Sequence, residues 1–250
     1  MMMLALLAGV GTATTMALAQ AGEEGGERAG QSFAKAFFGV EGSIVGTIKI
    51  WFLIGLSIVT LGLIIQRSRE TSRRALAPEG VSQRVRTAVA ARDYDGAINS
   101  VRGEANLLGV MLYETLKAGA GGYGAMLRAL AAAEDAQVTM RLRRLEVLNV
   151  IGNVAPMIGL LGTVYGIILA FQQVVAAGGR PSPVELAGGI GTALVATFWG
   201  LLIAIPALSA YALLRNRLDA AATEAVREVE EVVGLIRENE TKAQSVGAAS

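Results

Sequence analysis

Residues 188–207 read GGIGTALVATFWGLLIAIPA, twenty consecutive positions without an ionisable side chain but with two threonines, Thr192 and Thr197. A helix of this length rises about 30 Å, the thickness of the hydrocarbon layer of a bilayer. The stretch therefore predicts a membrane helix, and it lies inside a longer charge-free window over residues 186–214. Working outward, residues 147–177 also lack Asp, Glu, Lys and Arg, and residues 44–66 carry only Lys49, near the outer end, where its stem can snorkel to the headgroups. The fold class expected is an all-α membrane protein with three transmembrane helices at 44–66, 147–177 and 186–214.

The flanking charges orient these spans. Arg67, Arg69, Arg73 and Arg74 follow the first, Arg141, Arg143 and Arg144 precede the second, and Arg215 and Arg217 follow the third. Lysine and arginine stay preferentially on the cytoplasmic side. This places residues 67–146 and 215–250 in the cytoplasm, the loop 178–185 in the periplasm, the N-terminus outside and the C-terminus inside. The cytoplasmic segment 67–146 reads as helical. VSQRVRTAVAARDYDGAINSV predicts two short helices broken at Asp93 to Gly96, and GAGGYG a second break. From Ala125 no breaker precedes Pro156, so a cytoplasmic helix is expected to run straight into the second span. Beyond Arg217, Val226, Val229, Val233 and Ile236 recur at helical spacing and predict an amphipathic extension of the third span. The terminal ETKAQSVGAAS reads as disordered.

At the N-terminus, an apolar stretch followed by Ala17-Leu18-Ala19 fits a signal peptide over residues 1–19, although its start lacks Lys and Arg; a flexible uncleaved leader is the alternative. In the periplasmic tail 20–43, Phe33 and Phe37 share one helical face beside Phe38, the pattern of a short interfacial helix.

Composition narrows the chemistry. The 250 residues include no Cys and no His, so disulfides, thiol or imidazole nucleophile systems and the common zinc and haem sites are excluded; neither a catalytic residue, a metal site nor a cofactor is expected. A net charge of +1 lacks the basic excess of a nucleic-acid binder. Aromatic residues are 5% against 53% hydrophobic residues, an aliphatic content that favours packed helices over a β-barrel with aromatic girdles.

Small residues form stripes on the second and third spans. Gly152, Ala155, Gly159, Gly162 and Gly166 recur every three or four residues, as do Gly189, Ala193, Ala196, Gly200, Ala204 and Ala207. Such stripes let helix backbones approach closely, within one subunit or between identical ones. Bulky Leu160, Leu161, Ile167, Ile168, Leu201 and Leu202 cover other faces. The polar exceptions are Asn149, Asn153, Thr163, Thr192 and Thr197. A membrane threonine either returns its hydroxyl to the carbonyl one turn back or lines a pathway, and spacing alone leaves both open. Pro156 and Pro206 each remove a backbone hydrogen bond, a reason to expect helix kinks. Threonine hydroxyls do not titrate near neutral pH, so a proton carried through these helices needs an acid from elsewhere. The inverted repeats of a secondary transporter are not visible.

The run NVAPMIGLLGTVYGIILAFQQV, followed after a short loop by GGIGTALVATFWGLLIAIPALSAY, resembles the core helices of the MotA/TolQ/ExbB proton-channel family. Three spans with a large cytoplasmic insertion after the first are similar to the ExbB/TolQ branch. The resemblance implies a homopentameric ring around a pair of helices from an ExbD- or TolR-like single-span partner, each with an intramembrane Asp. It further implies an inner-membrane location and coupling of proton flow, or Na⁺ flow, to a periplasm-spanning protein such as TonB or TolA. Thr163 and Thr197 match the family's pore-facing threonines and, with Thr192 and Asn153, are the expected pathway-lining residues. Many ExbB and TolQ sequences have Glu where this chain has Thr192. A non-conducting oligomeric membrane scaffold is the alternative, which accounts for the small-residue stripes but not for the polar positions.

Overall fold

Continuity of apolar sequence becomes continuity of helix. A computed structural model describes residues 44–180 and 183–247. The expected signal peptide, the periplasmic tail with Phe33 and Phe37, and residues 181–182 and 248–250 lie outside the described residues. Those described form helices joined by turns, with no strand among them. Helix α1 covers Ile44–Glu70, α2 Arg73–Leu76, α3 Glu79–Ala90, α4 Tyr94–Val101 and α5 Leu107–Lys117. A 3₁₀ turn at Ala118–Gly121 leads to α6, Tyr123–Ala176, and α7 spans Pro183–Gly247. Three of these helices, α1, α6 and α7, are long and apolar enough to cross a membrane.

The two long helices each run without a break: α6 has 54 residues and α7 has 65. Pro156 and Pro206 both lie inside these helices rather than at their ends. The expected disorder of residues 240–250 gives way to helix as far as Gly247, through a run containing the good helix formers Glu240, Lys242, Ala243 and Gln244.

The described chain falls into two units. One comprises Leu148–Ala210 with the described residues up to Leu63; the other comprises Ile64–Val147 and the chain from Tyr211 onward. In the first unit, Leu53 of α1, Ala155 of α6 and Ile203 of α7 form a buried centre, flanked by Leu56, Ile151, Ile158 and Trp199. Each additional buried aliphatic side chain in an aqueous core contributes about 1.5–3 kcal/mol. That gain is missing against lipid, so close backbone packing must carry this unit.

The second unit packs around aliphatic side chains. Val81, Val85 and Val89 place one buried stripe on α3, and Leu214, Leu218, Ala225, Val229 and Ile236 place another along α7. Sequence-local caps set the short helices. Asp93 accepts the Gly96 amide at 2.8 Å to start α4, and Asn106 accepts the Gly109 amide at 2.7 Å to start α5. The break expected at Asp93 to Gly96 therefore closes earlier: the turn spans residues 91–93, and Gly96 is the third residue of α4. Arg92 adopts φ 58° just after α3. Its amide donates to the Val89 carbonyl at 3.0 Å, and the Asp93 amide to that of Ala88 at 3.0 Å, closing the helix with a Schellman motif.

Candidate functional site

Glycine and alanine fix the register of α6 against α7 within the first unit. A methyl group on Gly200 would stand 2.7 Å from the Ala155 carbonyl oxygen and 3.2 Å from the Gly159 Cα. On Gly159 it would stand 2.9 Å from the Ala196 carbonyl oxygen and 3.0 Å from the Thr197 Cα. Such distances are available only when backbone lies on backbone. Gly166 meets Ala193, Gly189 meets Ala170, and Gly152 meets the Leu208 side chain. The helices run antiparallel: seven residues forward from Gly159 to Gly166 match seven back from Gly200 to Ala193. Gly162 and Ala196 are also buried, while Leu160, Leu161, Ile167, Ile168 and Leu201 remain exposed on the outer faces.

This register brings Thr163 and Thr197 together. Their hydroxyls are hydrogen-bonded to each other, across 34 residues of sequence. Thr163 Oγ1 also lies 3.1 Å from the Ala193 carbonyl oxygen and 3.3 Å from that of Gly159, and Thr197 Oγ1 lies 3.2 Å from the same Gly159 oxygen. Two hydroxyls hold two protons, so they cannot serve all these contacts at once. Either Thr163 donates to a carbonyl and Thr197 donates to Thr163, or the direction reverses and Thr197 donates to Gly159. The pair is thus a short polar relay with two proton arrangements, set at half-buried positions among apolar neighbours. No Asp, Glu, Lys, Arg or His lies in residues 148–179 or 186–214, so neither of the two helices supplies a carboxylate, an imidazole or a cationic side chain there.

The other polar candidates are not gathered at this pair. Asn153 is exposed and turns back on its own helix, its Nδ2 donating to the Asn149 carbonyl at 2.8 Å and the Asn149 side-chain oxygen at 3.0 Å. Ten residues from Thr163, it lies about 15 Å further along α6. Thr192 belongs to α7, but its side chain lies outside those described. One polar residue not singled out from the sequence is Thr60 of α1. It is 2% exposed and donates to the Leu56 carbonyl at 2.7 Å, the local satisfaction expected of a structural membrane threonine. Ala170, opposite Gly189, was likewise missing from the sequence-derived stripes.

Comparison with known proteins places this geometry in context. A model of the MotA/TolQ/ExbB proton channel family matches residues 105–226, which include both threonines and both small-residue stripes. The chain is 31% identical over 193 residues to the Tol-Pal system protein TolQ of Haemophilus influenzae, covering 72% of this chain and 84% of that protein. It is 47% identical over 70 residues to the biopolymer transport protein exbB1 of Vibrio cholerae, 28% of this chain and 31% of the relative. Against the biopolymer transport protein ExbB of Neisseria gonorrhoeae, identity is 50% over 66 residues, 26% of this chain and 30% of the relative. The match thus spans less than a third of each of these two ExbB relatives, but most of TolQ.

Proposed function

Because this chain belongs to the MotA/TolQ/ExbB proton channel family, in its ExbB/TolQ-like branch, we propose that it is the ring-forming subunit of an inner-membrane motor driven by the proton motive force. It is a multi-pass membrane protein of channel type rather than an enzyme. In this reading the N-terminus is periplasmic and the C-terminus cytoplasmic. A homopentamer encloses a pair of helices from an ExbD- or TolR-like partner, and the work passes to a TonB- or TolA-type protein for transport or envelope maintenance.

The observation that carries this proposal is the Thr163–Thr197 hydroxyl pair, held in register by Gly159 and Gly200 in apolar windows that carry no Asp, Glu, Lys, Arg or His. Polar lining without a charge suits a pathway whose proton carrier arrives on another chain. A charged carboxylate facing an apolar ring lining costs several kcal/mol, so protonating the partner's Asp frees its helix to move within the ring. The threonines offer hydrogen bonds to that carboxyl or to water in transit. Pro156 and Pro206 each leave a helix carbonyl without its usual donor, which adds polarity and permits bending on the same two helices.

Thr197→Val tests the role. Valine keeps the shape and removes the hydroxyl, at a structural cost of about 1 kcal/mol because Thr163 can still donate to a carbonyl. Proton-driven work should fall severely while the complex isolated in mild detergent keeps its mass by native mass spectrometry. Full activity in the variant refutes the pathway role. In the wild type, a ring lacking an acid-bearing single-span companion refutes the motor and leaves the scaffold.

A further inference from the structure

Three arginines of the second unit converge where the chain enters two membrane spans. Arg67, Arg141 and Arg144, with Glu70, line a partly open cavity of about 240 Å³ whose wall also includes Leu76 and Leu145. Arg67 donates through Nη1 to Glu70 Oε2 at 2.6 Å, yet its Nε is buried without a hydrogen-bond partner. Arg141 reaches only neutral groups, among them the Ala105 carbonyl oxygen at 3.3 Å. Arg144 forms no ion pair among the described residues. Three positive charges against one carboxylate leave the cavity with two uncompensated charges. Burial first, and the neighbouring Arg144 guanidinium second, hold Arg141 below the usual arginine range. Both effects oppose its charge, and an anion in the cavity relieves both.

The groove beside α2 and α3 shows what satisfied arginines look like in the same unit. There Arg73 pairs with Glu224 and Arg86 with Glu231, so no ligand is called for.

We propose that the arginine cavity binds a phosphate group, the chemistry shared by anionic phospholipid headgroups and free phosphate, through Arg67, Arg141 and Arg144. Guanidinium forks match phosphate oxygens in geometry and charge. The volume holds several waters' worth of ligand at about 30 Å³ each. The lipid source is favoured by position. Arg67 directly follows the span 44–66, and Arg144 stands three residues before the span at 147, within about one helical turn of the bilayer boundary. The inference rests on the membrane spans, not on proton conduction.

The test uses the full-length protein in mild detergent, titrated with phosphatidylglycerol, phosphatidylcholine or sodium phosphate at fixed ionic strength. Bound ligand is read by native mass spectrometry and the thermal midpoint in parallel. Phosphatidylglycerol should bind and raise the midpoint where phosphatidylcholine does not, and R141Q/R144Q should weaken it by at least about tenfold. R69Q/R74Q removes the same charge from exposed positions outside the cavity and should bind as the wild type does. If the double variant fails to fold, R144Q alone, at an exposed position, should still weaken binding several-fold. An arginine-dependent response to sodium phosphate alone upholds the site and assigns it to a soluble phosphate. Equal binding by R144Q and wild type, or an equal loss in R69Q/R74Q, overturns the proposal.

Discussion

The two units hold helices together with opposite materials. In the first, the closest contacts of α6 and α7 are made by glycine, alanine and main chain, and most bulky side chains stand on the outside, Ile203 and the α1 residue Leu53 being buried exceptions. In the second, valine and leucine fill the centre, and arginine–glutamate pairs rim it. The solvent explains the inversion. Water expels aliphatic side chains and makes a large-residue core worth having, whereas lipid tails are as apolar as leucine and only close fit distinguishes one packing from another. Function follows the same division. A contact between α6 and α7 made chiefly by glycine, alanine and main chain makes the Thr163–Thr197 hydroxyl pair conspicuous.

Filling the glycine contact should produce the largest effect. Gly200→Val directs a branched side chain at the Ala155 carbonyl, and overpacking of this kind costs about 1–3 kcal/mol even where neighbours can yield; main chain yields little. The thermal midpoint in detergent should drop clearly, with loss of the Thr163–Thr197 register and therefore of activity. Gly62→Ala in α1 is the matched control, because nothing lies within 4 Å of its added methyl group. It should leave the midpoint unchanged or raise it by up to about 1 kcal/mol in stability. Equal damage from both substitutions breaks the comparison.

The sequence made the small stripes legible because helical spacing fixes which residues share a face. What it left open was how far one stripe slides along the other. Thr163 lies four residues past Gly159, and Thr197 three before Gly200, so the glycine contact alone sets them opposite each other. Pairing the stripes from the short loop outward is the signal that would have found the relay. Asn153 shared the polarity of that face but not its burial, a distinction that periodicity does not carry. Long helices were readable because no turn signal separates the spans from the helical runs beside them, and Pro156 and Pro206 are accommodated within the helices. The turn before α4 was misplaced because Gly96 looks like a breaker, although here it supplies an amide to the Asp93 cap.

An intermediate effect belongs to helix termination, where the units solve one problem with different residues. Gly178, at φ 61°, closes α6 with the same two-bond motif that Arg92, at φ 58°, uses to close α3. Glycine tolerates that conformation, and any other L-residue pays about 1–2 kcal/mol for it. Arg92→Gly should therefore stabilise the second unit by up to about 1 kcal/mol once the freer unfolded chain is discounted. A denaturation midpoint that falls instead shows that the Arg92 side chain contributes more than its backbone strain costs.

The smallest effect should come from the charged rim, because its pairs face water. Glu231 accepts from Arg86 and from Arg227, and those hydrogen bonds, Arg86's first, hold its carboxyl below the usual glutamate range. A carboxylate whose pKa is lower folded than unfolded binds fewer protons when folded. Its stabilising contribution is complete above the unfolded value of about 4.3 and disappears as the pH falls through the folded value. Between pH 7 and pH 5 the midpoint should not respond to this group, and Arg86→Gln should flatten part of the decline below pH 4.3. Salt supplies the second cut: at 1 M the screening length is about 3 Å, so wild type and Arg86→Gln should converge there. The glycine contact of the first unit has no charge to screen, and the deficit of Gly200→Val should survive the same salt unchanged.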